Sequence, residues 1–216
     1  MALREERKQQ TRQALIDAAL ELMHRGGGFS SLSLREISRE AGLVPTGFYR
    51  HFADLDALGL EIAHQACAEL RHLMQAARAQ ARGGHAAVSE SVHAMVRFMD
   101  EQPLLMGFLT RERGGGIPAI REAIAEEIQT FVHEQATDLA RWPVYQNLPL
   151  EDRLMIAELV VNTVIQLALD LPSQEAPDAR AARLNRTIKQ LRLVMLGALA
   201  WRPEKGAISP PAALTV

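Results

Sequence analysis

Hydrophobic residues in this chain recur at spacings of three and four, and no stretch alternates with period two for long enough to support a strand. Over about 5–24, Leu15, Ala18, Ala19 and Leu22 share one helical face, which Ile16, Leu20 and Met23 widen. Gly26-Gly27-Gly28 ends that segment. Ser33, with Glu36 three residues on, has the spacing of a capping box, and Leu34, Ile37 and Ala41 give the next helix an apolar side. Gly42 supplies the positive φ that closes a helix tightly, and Pro45 suits the first turn of a short third helix reaching about 51. Asp54 caps a long fourth helix to about 82, with Leu55, Leu58, Ile62, Leu70 and Leu73 inward. Further helices are predicted at 85–101, 103–113, 117–142, 150–171 and 179–201. Pro103, Gly114-Gly115-Gly116, Pro118, Pro143, Pro149, Pro172 and Pro177 punctuate them. The pattern predicts an all-α fold of about nine helices, divided into a head at 1–53, a body at 54–202 and a disordered tail at 203–216.

Composition narrows the class. Of 216 residues, 48% are hydrophobic and 23% charged, enough for a sizeable core, while 5% aromatics leave a helix-favouring mixture. Apolar runs are interrupted well before the ~18 residues of a membrane span, and the start has no secretory h-region. The single cysteine, Cys67, excludes an internal disulfide framework and fits a reducing cytoplasm, the expected location. Net charge is −2, yet residues 1–52 carry a surplus of two positive charges, so the remainder holds a surplus of four negative ones. The positive end coincides with the chain's strongest motif.

That motif runs from Ser31 to Phe52: a helix, a turn through Gly42 and a second short helix, the order of a helix-turn-helix. Phe48 and Phe52 can turn inward while Thr46, Gly47, Tyr49, Arg50 and His51 face out. Such a helix fits the major groove. Thr46 can bond a base or touch a thymine methyl, Gly47 permits close backbone approach, and Arg50 can fork onto guanine or hold a phosphate. Tyr49 and His51 are suited to phosphates. Ser33, with the free N–H groups of its helix, offers a further phosphate site, and Arg35, Lys8, Thr11 and Arg12 complete the expected DNA-binding set.

Leu34 to Leu58, with Ala41-Gly42, Phe48-Tyr49 and His51-Phe52 at their spacing, resembles the DNA-binding head of the TetR family. The resemblance implies a head of three helices and the start of a fourth, on a helical ligand-binding and dimerisation body. It further implies that the last two helices form a four-helix bundle with a second subunit. Many members carry a Lys at the start of the fourth helix; here that stretch is Asp54-Leu55-Asp56, which lacks that phosphate contact. Ser31-Leu32-Ser33-Leu34-Arg35-Glu36, the segment from Phe48 to Asp56, and Arg111-Glu112-Arg113 are similar to the FabR and DesT branch, repressors of unsaturated fatty-acid synthesis. That similarity implies a long-chain acyl thioester, such as an acyl-CoA, as effector.

In the body, Met95, Phe98, Met99, Phe108 and Leu109 form a Met- and Phe-rich set that reads either as an adaptable acyl tunnel or as plain core. Val161 and Ile165 are grouped with it as ligand-facing. Arg111 and Arg113, before the next helix begins, suit a phosphate-rich head group, or simply complement a helix dipole. Helices 150–171 and 179–201 are apolar on more than one side, as a homodimer interface needs. Glu158, Asn162, Gln166 and Asp170 form a thin polar ridge that is either solvent-facing or pocket-lining. The histidines show no metal-ligand spacing, no cofactor motif occurs, and no nucleophile–base–acid set stands out. The expectation is a non-enzymatic repressor acting on double-stranded DNA at a palindromic operator. Its effector is an acyl thioester or, alternatively, a hydrophobic drug-like molecule controlling efflux or catabolic genes.

Overall fold

The computed structural model describes residues 2–81, 84–171 and 175–201. Among them are nine α-helices and no strand. They are α1 (Ala2–Arg25), α2 (Leu34–Glu40), α3 (Pro45–Phe48), α4 (Leu55–Gln80), α5 (Gly84–Glu101), α6 (Pro103–Glu112), α7 (Pro118–Leu139), α8 (Leu150–Asp170) and α9 (Pro177–Ala200). The all-α prediction is met. The tail expected from Pro203 lies outside the described residues.

The helix ends follow from local chemistry. Ser33 Oγ accepts the N–H of Glu36 at 3.2 Å while the Glu36 carboxylate takes the N–H of Ser33 at 3.1 Å, so the capping box is complete. At the other end of α2, Gly42 adopts φ 70°. The N–H of Leu43 then reaches Ser38 O at 2.7 Å and that of Gly42 reaches Arg39 O at 3.1 Å, the paired bonds of a Schellman turn. Asp54 Oδ1 accepts the N–H of Ala57 at 2.8 Å and starts α4. Pro177 opens α9, two residues before its predicted start, because its fixed φ suits a first helical turn. A 3-10 turn at Phe29–Ser31 was not predicted; it follows the glycines that end α1.

The chain forms two compact units. The first comprises Met1–His72 and Phe98–Glu127, and the second Leu73–Arg97 and Ile128–Val216, each as far as described. The division therefore falls inside α4, α5 and α7. The core of the first unit includes Leu15, Ile37, Phe48, Leu58, Ile62, Phe29, Phe108 and Ile120, all almost wholly buried. Phe29 meets Phe108 edge-on with ring centroids 5.8 Å apart. Gly59 sits mid-helix, where glycine costs about 0.5–1 kcal/mol against alanine. It is needed there because an added Cβ would collide with Ile120 Cδ1 and stand 2.8 Å from the Phe29 ring.

In the second unit Val132 and Ala136 of α7 pack on Ala157 of α8, flanked by Leu154 and Val161. After α7 the chain turns at 140–148, and Tyr145 is buried there with its hydroxyl donating to Met195 O at 3.1 Å. Loss of solvent raises its phenol pKa above the ordinary value.

Candidate functional site

The head's exposed face is built by α2, the turn through Gly42, and α3. Phe48 is fully buried and stacks at 5.8 Å on Phe52, which is also buried. That anchor fixes which side of α3 is turned out: Thr46, Tyr49 and Arg50 are exposed, Tyr49 to 63%. The predicted third helix is shorter than its pattern. Its α-helical part stops at Phe48, and turn bonds from Arg50 N to Gly47 O and from His51 N to Phe48 O carry the chain onward. A Cβ built on Gly47 would meet only Leu43 Cβ, at an ordinary 3.8 Å, so nothing inside the protein demands glycine there.

The remaining predicted DNA-binding residues divide by what already holds them. Arg35 is exposed on α2, and Lys8 is exposed on α1 with a 3.8 Å ion pair to Glu5. Thr11 donates its hydroxyl to Arg7 O at 2.8 Å. Ser33 belongs to the capping box, so the Glu36 carboxylate stands where a phosphate was expected. Hydrogen bonds from Ser33 hold that carboxyl below its ordinary pKa. Arg12 is engaged three ways: Nη1 donates to His51 O at 2.9 Å, Nη2 pairs with Glu61 at 2.7 Å, and the guanidinium lies 4.3 Å above the Phe52 ring centroid. It thereby ties α1 to the turn that follows α3. His51 is half-buried, and its pKa is lowered by burial first and then by Lys8, Arg12 and Arg50.

The motif at this surface has counterparts among known sequences. Residues 15–62 match the sequence profile of the tetR family of bacterial regulatory proteins. Those 48 residues, from α1 to the first part of α4, thus carry the pattern of that family's N-terminal domain. Its fold is similar along nearly the whole length to that of NalD, the secondary repressor of the MexAB-OprM multidrug efflux pump of Pseudomonas aeruginosa. The identity is 21%, with 86% of this chain and 97% of that one covered and a TM-score of 0.65. FadR from Bacillus subtilis, solved with stearoyl-CoA, is similar at 12% identity, over 84% of this chain and 96% of that one, with a TM-score of 0.65. The fatty acid degradation regulator FadR from Bacillus halodurans gives 15%, 89%, 97% and 0.64 in the same order. At such identities the likeness carries the fold, and what those proteins bind is a statement about them.

The predicted ligand set is divided between the two units. Phe98, Phe108 and Leu109 are buried in the first unit, which also holds Met99, Arg111 and Arg113. Met95, Val161 and Ile165 belong to the second. Arg111 Nη1 donates to Met23 O at 2.5 Å and to Gly27 O at 3.2 Å, closing the C-terminal end of α1. Arg113 is exposed. On α8, Glu158, Asn162, Gln166 and Asp170 are all exposed in the single chain, with Gln166 donating to Asp170 at 2.8 Å.

A cavity of about 590 Å³ lies within the second unit, lined by Gln75, Arg78, Ala87, Asp138, Arg141 and Trp142 among others. None of the predicted ligand residues lines it. Sequence reasoning passed it over because its walls come from the end of α4, from Ala87 of α5, from α7 and from the turn after α7, segments far apart in the chain. Among the described residues no group of His, Cys, Asp and Glu has the makings of a metal site, and no helix is long and apolar enough to cross a membrane. Cys67 is buried, and burial pushes its thiol up to about 12, far from a reactive thiolate.

Proposed function

We propose that this chain is a homodimeric repressor of the TetR family that reads a palindromic operator with α3 and answers to a small molecule bound in its second unit. The observation that carries the DNA reading is the polarity of α3: Phe48 wholly inside, Thr46, Tyr49 and Arg50 outside, and a glycine between them with no internal reason to be one. A surface of this kind suits base edges and phosphates. Two heads, spaced roughly 34–36 Å apart, would meet successive major-groove faces.

Dimerisation is supported by apolar side chains left outward on α8 and α9. Met155, Leu159 and Leu169 are 41%, 51% and 42% exposed, and Leu193, Leu196 and Leu199 are 68%, 49% and 40% exposed. Each helix already buries another apolar side, through Ile156, Val160 and Val164 on α8 and Ile188, Leu191 and Met195 on α9. A second apolar stripe in water asks for a partner, and a two-fold copy supplies the matching stripe.

For the effector, a long-chain acyl thioester controlling fatty-acid biosynthesis or desaturation genes is supported by the FabR and DesT resemblance and by the FadR folds, one holding stearoyl-CoA. A smaller drug-like ligand, with efflux or catabolic target genes, is favoured by the polar-walled cavity and by the burial of Phe98, Phe108 and Leu109 as ordinary core. Selection of bound sites from random duplexes tests the DNA reading, with inverted half-sites expected. Repeating it with palmitoyl-CoA and oleoyl-CoA tests the effector. Indifference to every duplex sinks the repressor, and unchanged binding with both thioesters sinks the fatty-acid assignment.

A further inference from the structure

We infer that the cavity in the second unit binds a small aromatic carboxylate, its ring against Trp142 and its acid group on Arg141. The inference rests on the reading that this unit takes a small-molecule effector. A volume of about 590 Å³ falls in the range of roughly 300–1,000 Å³ usual for small-molecule sites.

The charges of the lining select the ligand. Both carboxylates are already supplied with donors. Glu134 accepts the Gln75 amide at 3.2 Å. Asp138 accepts Arg78 Nε on Oδ2 at 2.7 Å and pairs with Arg141 Nη1 through Oδ1 at 3.0 Å. A cationic ligand would have to share these carboxylates with the partners they already hold. Arg78 cannot leave, because its side chain is only 8% exposed and also stands 3.9 Å from Glu134. Arg141 differs: its side chain is 75% exposed, and Asp138 keeps Arg78 when Arg141 swings away. An exposed pair of this kind holds the side chain only weakly. Arg141 is therefore the group free to turn, and a planar fork of N–H donors fits a carboxylate on two bonds.

Trp142 follows directly. It is half-buried and lines the same space, giving an aromatic face beside the guanidinium. Both residues sit on a turn that is held firmly: Trp142 N donates to Leu139 O at 3.1 Å, Tyr145 N donates to Trp142 O at 2.9 Å, and the buried Tyr145 hydroxyl is bonded to Met195 O. With the backbone of this turn fixed, the freedom lost on binding is that of the Arg141 side chain. Beyond Trp142, the wholly apolar side chains among the described lining residues are Ala79 and Ala87. That is a short wall for a long alkyl chain and an adequate one for one or two fused rings.

Calorimetric titration of the full chain with 2-naphthoate, without DNA, tests this. One saturable site per chain is expected. Arg141→Ala and replacement of the probe by neutral 2-naphthamide should each weaken binding at least tenfold, and Trp142→Leu should weaken it by a similar factor. Circular dichroism on each variant checks the fold, and Arg141→Gln gives a second substitution at an exposed position. Absence of 2-naphthoate binding, binding by Arg141→Ala and Arg141→Gln as tight as that of the unaltered chain, or tighter binding of 2-naphthylmethylammonium would overturn the assignment. Because no DNA is present, any of these results leaves the operator selection standing, and indifference to duplexes leaves this titration standing.

Discussion

The Glu112 carboxylate on α6 accepts the backbone N–H of Phe29 at 2.9 Å, across 83 residues of sequence. It does so at 2% exposure, while its neighbour Arg111 donates to the carbonyls of Met23 and Gly27. Two consecutive side chains of α6 thus serve the connection between α1 and α2 from both sides, one as acceptor and one as donor. Removing the acceptor strands a buried N–H, which costs about 1–3 kcal/mol. Glu112→Ala should lower the urea midpoint accordingly, whereas Arg113→Ala, at an exposed position, should change stability by no more than about 0.5 kcal/mol. An unchanged midpoint in Glu112→Ala would show that the Phe29 N–H finds another acceptor.

Arg12 and Arg50 are both cations of the head, yet their settings assign them different work. Arg50 is exposed, while Arg12 is bound to His51 O, Glu61 and the Phe52 ring. Arg50→Ala should weaken DNA binding and, if its contact is a phosphate, reduce the salt dependence by roughly one ion equivalent. Arg12→Ala should weaken binding through a misplaced α3, with a smaller change in salt slope and a measurable loss of stability. Gly47→Ala isolates the third possibility. With 3.8 Å to the nearest side chain it should keep the melting temperature and lose at least tenfold in operator affinity. Fluorescence anisotropy at several salt concentrations distinguishes the three.

His51 makes the head sensitive to acid. Its folded-state pKa lies below the ordinary 6.5, through burial and then through Lys8, Arg12 and Arg50. The unfolded chain therefore takes up a proton that the folded head resists, so stability rises with pH across the interval between the two values. The contribution is complete above about pH 6.5 and is lost as pH falls through the depressed value. His51→Gln should flatten this part of a melting-temperature profile. An identical profile in that variant would exclude His51 as its source.

Leu193, at 68% exposure, is the most exposed of the apolar residues on α9. Full burial of such a side chain is worth about 1.5–3 kcal/mol, and a two-fold interface counts it twice. Leu193→Glu should therefore shift the protein toward monomer in light scattering, with helical content kept, and reduce operator affinity through loss of the paired heads. A variant that stays dimeric would place the interface elsewhere.

Much of the proposed DNA-reading surface was legible in sequence because its signals are local. Ser33 and Glu36 form a capping box, Gly42 a Schellman turn, Asp54 a cap, and Phe48 and Phe52 an anchor, each by interaction over a few positions. Those distances are set by helical geometry, which residue spacing encodes directly. Local pattern could not say how Arg12 would be engaged. Nor could it show Glu112 on Phe29, Gly59 against Ile120, or Arg78 on Asp138. These join residues about 60 or more positions apart, so their partners are chosen only when helices pack, by which side chain fills a gap and which polar group must be satisfied once water is gone.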